Sequence, residues 1–279
     1  LVLNIFSIRS FDSLNLALTL ISSGGFLPVN DLSNIIRENS QVVILSLLML
    51  LSFFSIFFSY NLIFLRSKNL NFFQEDIYLV FYLISLIIIF FLFFNYDYNF
   101  SLTLLSLISS ISNIGISLNN SPQNLSFIFL LLTIIGGSFF STSSGIRFIK
   151  IYSLFKFSIN DLISHVKPKN VFLNKNFFLN ISFEKNEINK YFLSVLIFII
   201  SSLILTSILT IFNISFEISY KLSILTLMNT VNSSIHGLND FNFQELHIFV
   251  KYCLIIFMII GRVELITLLI IFKKFLFKN

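Results

Sequence analysis

Charge is scarce in this chain: only 11% of its 279 residues are Asp, Glu, Lys or Arg, whereas 56% are hydrophobic and mean hydropathy is +0.91. No soluble domain of this length has that balance, so composition alone assigns the chain to a membrane. Cysteine is scarcer still. The single Cys253 lies inside an apolar run, which excludes an intrachain disulfide and a paired-cysteine metal site and leaves a small packing residue. His165 and His247 have no metal-ligand spacing and receive no role. No nucleophile with a base, paired carboxylates or phosphate loop occurs at usable spacing, so neither an enzyme nor a cofactor is expected. Nothing points to a nucleic-acid partner. Residues 41–65, 77–94 and 191–212 contain no Asp, Glu, Lys, Arg or His. A membrane subunit of a redox complex, which needs ionisable residues at helix centres to pass protons, is therefore the weaker alternative. The 38 Phe, beside abundant Ile, Asn, Leu and Ser, reflect a bias of the coding sequence and are not read as aromatic sites.

What is present is a rhythm of long and short apolar runs. Residues 41–65, 77–94, 125–157, 191–212 and 249–272 are long enough to cross a bilayer, which takes about 20 apolar residues. Residues 11–21, 99–112 and 219–232 are not. A 14-residue helix rises about 21 Å against a hydrocarbon core of about 30 Å, so each short run must dip in and turn back. Each precedes a Gly- or Ser-rich turn: 22–26, 113–117 and 233–237. Non-helical backbone at that depth is tolerated only where protein or a water-filled cavity satisfies it, so these turns should line a pore. The expected fold is all-α and integral to the membrane. It is built from repeated units of span, re-entrant pore helix and span, with one broken helix.

Four segments follow. Residues 1–65 hold the back part of one repeat, with pore helix 11–21 and span 41–65. Residues 77–157 form a complete repeat with a broken second span, 158–190 a cytoplasmic linker, and 191–279 the last repeat and a short cytoplasmic tail. The chain starts with Leu1, and its first apolar stretch, 1–8, is too short to span. The expectation is a C-terminal part of a longer protein. Lys and Arg concentrate in 66–76, in the linker and in the tail, which places those segments and the C-terminus inside by the positive-inside rule. The opposite loops carry Asp31, Glu38, Asp97, Glu217, Asp240 and Glu245. They form either an outer vestibule that concentrates cations or merely solvated loop charge. In the linker, 171–179 reads as a small hairpin.

Residues 136–145, Gly-Gly-Ser-Phe-Phe-Ser-Thr-Ser-Ser-Gly, hold three Gly and five hydroxyls inside an apolar run. Gly costs about 1 kcal/mol against Ala in a helix, and Ser and Thr compete for backbone hydrogen bonds, so the helix should break here. The break lines a transport path or, alternatively, packs as a small-residue interface between helices. Arg262, after Gly261 and two residues before Glu264, sits in the last span. A bare cation there costs about 2.5 to 3.5 kcal/mol. It is either an electrostatic barrier in an ion path or one partner of a structural salt bridge. In the turns the useful groups are backbone carbonyls, which can replace a cation's hydration shell, and Gly24, Gly25 and Gly115 permit the dihedrals needed. His236 could titrate near neutral pH but reads as a solvated loop residue.

These residues resemble a known family. Gly136-Gly137-Ser138, Ser141-Thr142 and Gly145-Ile146-Arg147 are similar to the gly-gly-ser-x-gly-ser-thr-gly-gly-gly-ile-lys segment of the Trk/Ktr/HKT potassium transporters, closest to the bacterial TrkH branch. Gly261-Arg262-Val263-Glu264 resembles that family's gly-arg-leu-glu, and Ser22-Ser23-Gly24-Gly25-Phe26 its ser-thr-gly-gly-phe filter turn. The resemblance implies potassium uptake through a gated pore in the inner membrane, without an enzymatic activity. Backbone carbonyls of Ser23, Gly24, Gly25, Asn113, Ile114, Gly115, Ser233 and Ser234 would bind potassium. Gly136, Gly137, Ser141, Thr142 and Gly145 would form a gating loop, with Arg262 projecting into the path. Homodimerisation and a cytosolic nucleotide-binding regulatory subunit are implied as well. Phe140, Ser143 and Ser144 stand where the family has glycine. If the family's asn-thr-gly-pro-gly-leu aligns with residues 233–238, Ile235 replaces a filter glycine. A sodium-permeable or weakly selective transporter, or a non-conducting fragment, then stays open.

Overall fold

A computed structural model describes residues 2–29, 32–59, 74–94, 99–118, 122–166, 185–230, 234–238 and 241–263. The sequence-predicted hairpin at 171–179, together with Glu264 and Ser233, lies outside them. The described residues are helical, and their one β-like feature is an isolated parallel bridge between Ile135 and Ile146.

The chain opens on a helical turn, Val2–Ile5, followed by the short helix α1 (Ser10–Ser22). Next comes α2 (Asn39–Phe53), started by a capping box in which Glu38 and Gln41 satisfy each other's backbone N–H groups. Then come α3 (Gln74–Phe94), the short α4 (Phe100–Ile111), α5 (Ser126–Ile134), α6 (Phe148–Val166), α7 (Lys185–Ile211), the short α8 (Phe216–Met228) and α9 (Ile248–Val263). Among the described residues α3 and α7 are long and apolar enough to cross a membrane. Ile77, Phe81, Ile84, Ile88 and Leu92 form an outward stripe on α3, each at least 48% exposed, while Leu79 and Leu83 are buried on its other face. A helix apolar on every side suits a lipid environment.

Two apolar clusters hold the helices together. In the first, α2 packs on α4, and Leu45, Met49, Phe53, Ile108, Ile111, Ile114 and Phe129 close the core. In the second, α8 packs against both α7 and α9 through Leu205, Leu209, Leu222, Leu225, Val250 and Leu254. Helix α5 touches α4 and α8 and so bridges the two.

Two details depart from expectation. The apolar run 41–65 does not continue as one helix. It stops at Phe53, Phe54 is extended (φ −76°, ψ 164°), and a new helical turn covers 56–59. Asp76 holds the break open by accepting from the Ser55 N–H at 3.0 Å and its hydroxyl at 2.5 Å. The third short helix occupies 216–228, ending four residues before the apolar run 219–232 does.

Candidate functional site

The three short helices end in the same way. Each contains 12 or 13 residues, about 20 Å of helix, and each is followed by a left-handed residue: Ser23 (φ 49°), Asn113 (φ 58°) and Asn229 (φ 53°). Those three N–H groups reach the carbonyls of Leu20, Ser110 and Thr226. The next N–H groups, of Gly24, Ile114 and Thr230, reach those of Thr19, Ser109 and Leu225 at 3.1 to 3.2 Å. This is a helix C-cap in which a left-handed residue satisfies carbonyls that the last turn leaves unpaired. In the first two turns a second left-handed position follows, at Gly25 (φ 70°) and Gly115 (φ 75°).

That backbone sets a register for the third turn different from the one expected from sequence. Asn229 and Thr230, not Ser233 and Ser234, correspond to Ser23-Gly24 and Asn113-Ile114. The residue after Thr230, Val231, lies outside the described residues. Ser234 starts a 3-10 turn (Ser234–His236), and Ile235 is fully buried in the first apolar cluster. His236 is also buried rather than solvated, with neither ring nitrogen hydrogen-bonded among the described residues. Burial pushes its imidazole down to about 4, assisted by the charge on Lys221.

The segment between α5 and α6 is the element on which the turns converge. Helix α5 stops at Ile134, and Gly136 N–H bonds back to the Ile146 carbonyl at 2.9 Å, closing the base of a loop. The loop leans on the end of α2, where the N–H groups of Ser138 and Ser143 donate to the carbonyls of Phe53 and Ser52, each at 3.1 Å. A Cβ on Gly137 would overlap the Phe53 carbonyl, so glycine is required by this close approach. Arg147 braces the inside, its Nη1 lying 3.0 to 3.2 Å from the carbonyls of Ser138, Ser141 and Ser143.

From the first turn, Ser23 Oγ donates to the Thr142 carbonyl at 2.8 Å. From the second, Asn113 Nδ2 donates to the Ser144 carbonyl at 2.9 Å. The third reaches the loop through α9. Gly261 lies so close to the Leu227 carbonyl that a Cβ there would overlap it, and the neighbouring Arg262 donates from Nη1 to the Thr142 carbonyl (3.1 Å) and Ser144 Oγ (2.9 Å). Arg262 thus binds the loop, not an acid, among the described residues. The C-termini of α1 and α4, each carrying a partial negative charge, touch residues 142–144 directly, whereas that of α8 is linked to them only through α9 and Arg262. The cation at this point is the Arg262 guanidinium. Gly24, Gly145 (φ 97°) and Ser141 lie in or beside these segments, and Ser141 packs inside the loop through its bond to the Ser138 carbonyl.

Sequence reasoning had not found the Ser52 and Phe53 carbonyls, nor Glu75, whose two carboxylate oxygens both lie 3.1 Å from Phe139 N–H. Backbone acceptors leave no mark on a sequence, and Glu75 stands 64 residues from its partner.

Residues 116–278, more than half of the chain, match the TrkH family, described as cation transport protein. No curated protein matches the chain. Among solved structures it is similar to the potassium transporter TrkH from Vibrio parahaemolyticus, with a TM-score of 0.76 and 17% identity, over 96% of this chain and 59% of that one. At that identity the likeness speaks for the fold, and the chain spans 59% of the transporter's length. The family match extends over the loop, α7, α8 and α9, and with the helical architecture it makes this chain a membrane-embedded member of the TrkH family of cation transport proteins.

Proposed function

We propose that the chain conducts potassium into the cell, along a path lined by backbone carbonyls of the three turns and gated by residues 136–145. The observation that supports this reading is the convergence of two helix-ending turns and the last helix on one loop, where Ser23, Asn113 and Arg262 all bind residues 142–144. Backbone carbonyls of the turns, with no carboxylate bonded to residues 142–144 among the described residues, would suit a monovalent cation that must bind and leave quickly. The loop is held against the ends of the first two turns by side chains that donate to its backbone carbonyls, which is where a gate would sit. As in the resemblance, the setting is a bacterial inner membrane with the C-terminus in the cytoplasm. A second copy and a cytosolic nucleotide-binding subunit are the partners.

A second reading, weak selectivity with sodium permeation, is favoured by sequence order alone: Val231 follows Asn229-Thr230 where glycine follows Ser23-Gly24 and Asn113-Ile114. The complete coding sequence, expressed in a potassium-uptake-deficient bacterium, is expected to restore growth on limiting potassium and to support rubidium uptake. Unchanged growth despite verified membrane insertion would refute the proposal. In the same cells Val231→Gly should sharpen discrimination against sodium by about tenfold, worth 1.4 kcal/mol between the two ions. Ile235→Gly should not. The opposite pattern would return the filter position to 235.

A further inference from the structure

The tip of the loop is a β-turn, Ser138 to Ser141, closed by the Ser141 N–H on the Ser138 carbonyl at 3.1 Å. Its two central residues, Phe139 and Phe140, are exposed. Each is tied to another element by its backbone. Phe139 N–H donates to Glu75 in the first turn of α3, and the Phe140 carbonyl accepts from Ile56 N–H at 3.2 Å. Ile56 directly follows Ser55, which Asp76 holds through both its N–H and its hydroxyl. Two consecutive acids therefore grip the loop tip and the helix break it rests on.

We propose that Glu75 is a positioning residue that latches the loop in place, so that losing its carboxylate frees the loop tip and raises cation flux. An acid in the first turn of a helix can also serve merely to offset the helix dipole. Here both oxygens lie 3.1 Å from Phe139 N–H, with the Ile149 N–H in the first turn of α6 as a weaker second backbone donor, and Arg147, Asp76 and Tyr191 of α7 are the other ionisable groups near enough to feel its charge. Arg147 already satisfies three loop carbonyls, so the latch supplies what Arg147 cannot, an acceptor for the tip's N–H.

The flux readout rests on the proposed transport function, whereas a second readout, amide exchange in the purified full-length protein, does not. Glu75→Ala is expected to raise exchange at residues 140–143 and rubidium uptake, each roughly tenfold, the scale of a hydrogen bond to a charged group. Glu75→Gln, which keeps an acceptor without the charge, should fall between. Phe139→Pro removes the donor at a turn position where proline's fixed φ fits, and Phe139→Ala controls for the lost ring. Relative to that control, Phe139→Pro should match Glu75→Ala, and the pair should be far from additive. Should Glu75→Ala fail to fold, the Phe139 pair decides alone. Raised exchange in a protein that never takes up rubidium would support the latch and refute the transport reading. Unchanged exchange, or additive effects, would overturn the latch.

Discussion

Asn113 and Asn229 occupy the same place in two turns with the same backbone, yet they bind different things. The amide of Asn113 donates straight to the loop at the Ser144 carbonyl, whereas that of Asn229 donates to the Met258 carbonyl on α9, both at 2.9 Å. The first two turns hold the loop directly, and the third holds it at one remove, through a helix that carries Arg262. What differs is the neighbour, not the residue: α9 is wedged between the third turn and the loop because Gly261 lets it approach the Leu227 carbonyl. A left-handed C-cap frees a side chain, and packing then decides what it binds.

The largest effect that tests this comparison is Gly261→Ala. The new Cβ meets the Leu227 backbone, which cannot swing aside like a flexible side chain, so α9 must move. A cost on the order of 3 kcal/mol is expected. It should appear as a lowered melting temperature of the purified protein and as faster amide exchange at residues 142–144, because Arg262 shifts with the helix. An unaltered melt with the loop still protected would break the indirect link and leave only the direct tethers.

Asn113→Ala tests a direct tether and should cost less, about 2 kcal/mol. The Ser144 carbonyl loses its amide donor but keeps the Ser143 hydroxyl at 3.2 Å, and alanine must adopt φ near 58°. Exchange should rise around Ser144 while the third turn and α9 stay protected. Asn229→Ala should do the reverse. If both substitutions loosen the same residues equally, the two routes are one network and the distinction fails.

The parts of this site that were legible in sequence are those whose chemistry is local. Three glycines and five hydroxyls at 136–145 cannot continue a helix, and the structure breaks there. Short apolar runs ending in Ser22-Ser23-Gly24-Gly25 and Asn113-Ile114-Gly115 foretold the first two caps, because glycine marks where φ turns positive. The third cap was hidden. Its left-handed residue is Asn229, and the Met228 before it and Val231 after it extend the apolar run across the true helix end, so the turn expected at 233–237 starts four residues too far along. The break at Phe54 was invisible for a different reason. Leu51-Ser52-Phe53-Phe54-Ser55 holds neither Gly nor Pro, and what stops the helix is Asp76 capturing Ser55 from 21 residues away, a tertiary contact. His236 was misread likewise, since a loop position says nothing about which helices cover it.

The smallest expected effect is also where both routes meet. Ser23 Oγ from the first turn and Arg262 Nη1 from the last helix donate to one oxygen, the Thr142 carbonyl. Ser23→Ala therefore leaves that oxygen paired and should cost no more than about 1 kcal/mol. Arg262→Ala by itself likewise leaves the Ser23 hydroxyl in place. Removing both orphans a carbonyl at the centre of the site, where the loss exceeds the sum of the singles by about 1 kcal/mol. A thermal-melt cycle over the four proteins measures that excess. A positive excess says that the direct and indirect tethers act on one point of the loop. Strict additivity would mean that the two donors stabilise different states of it.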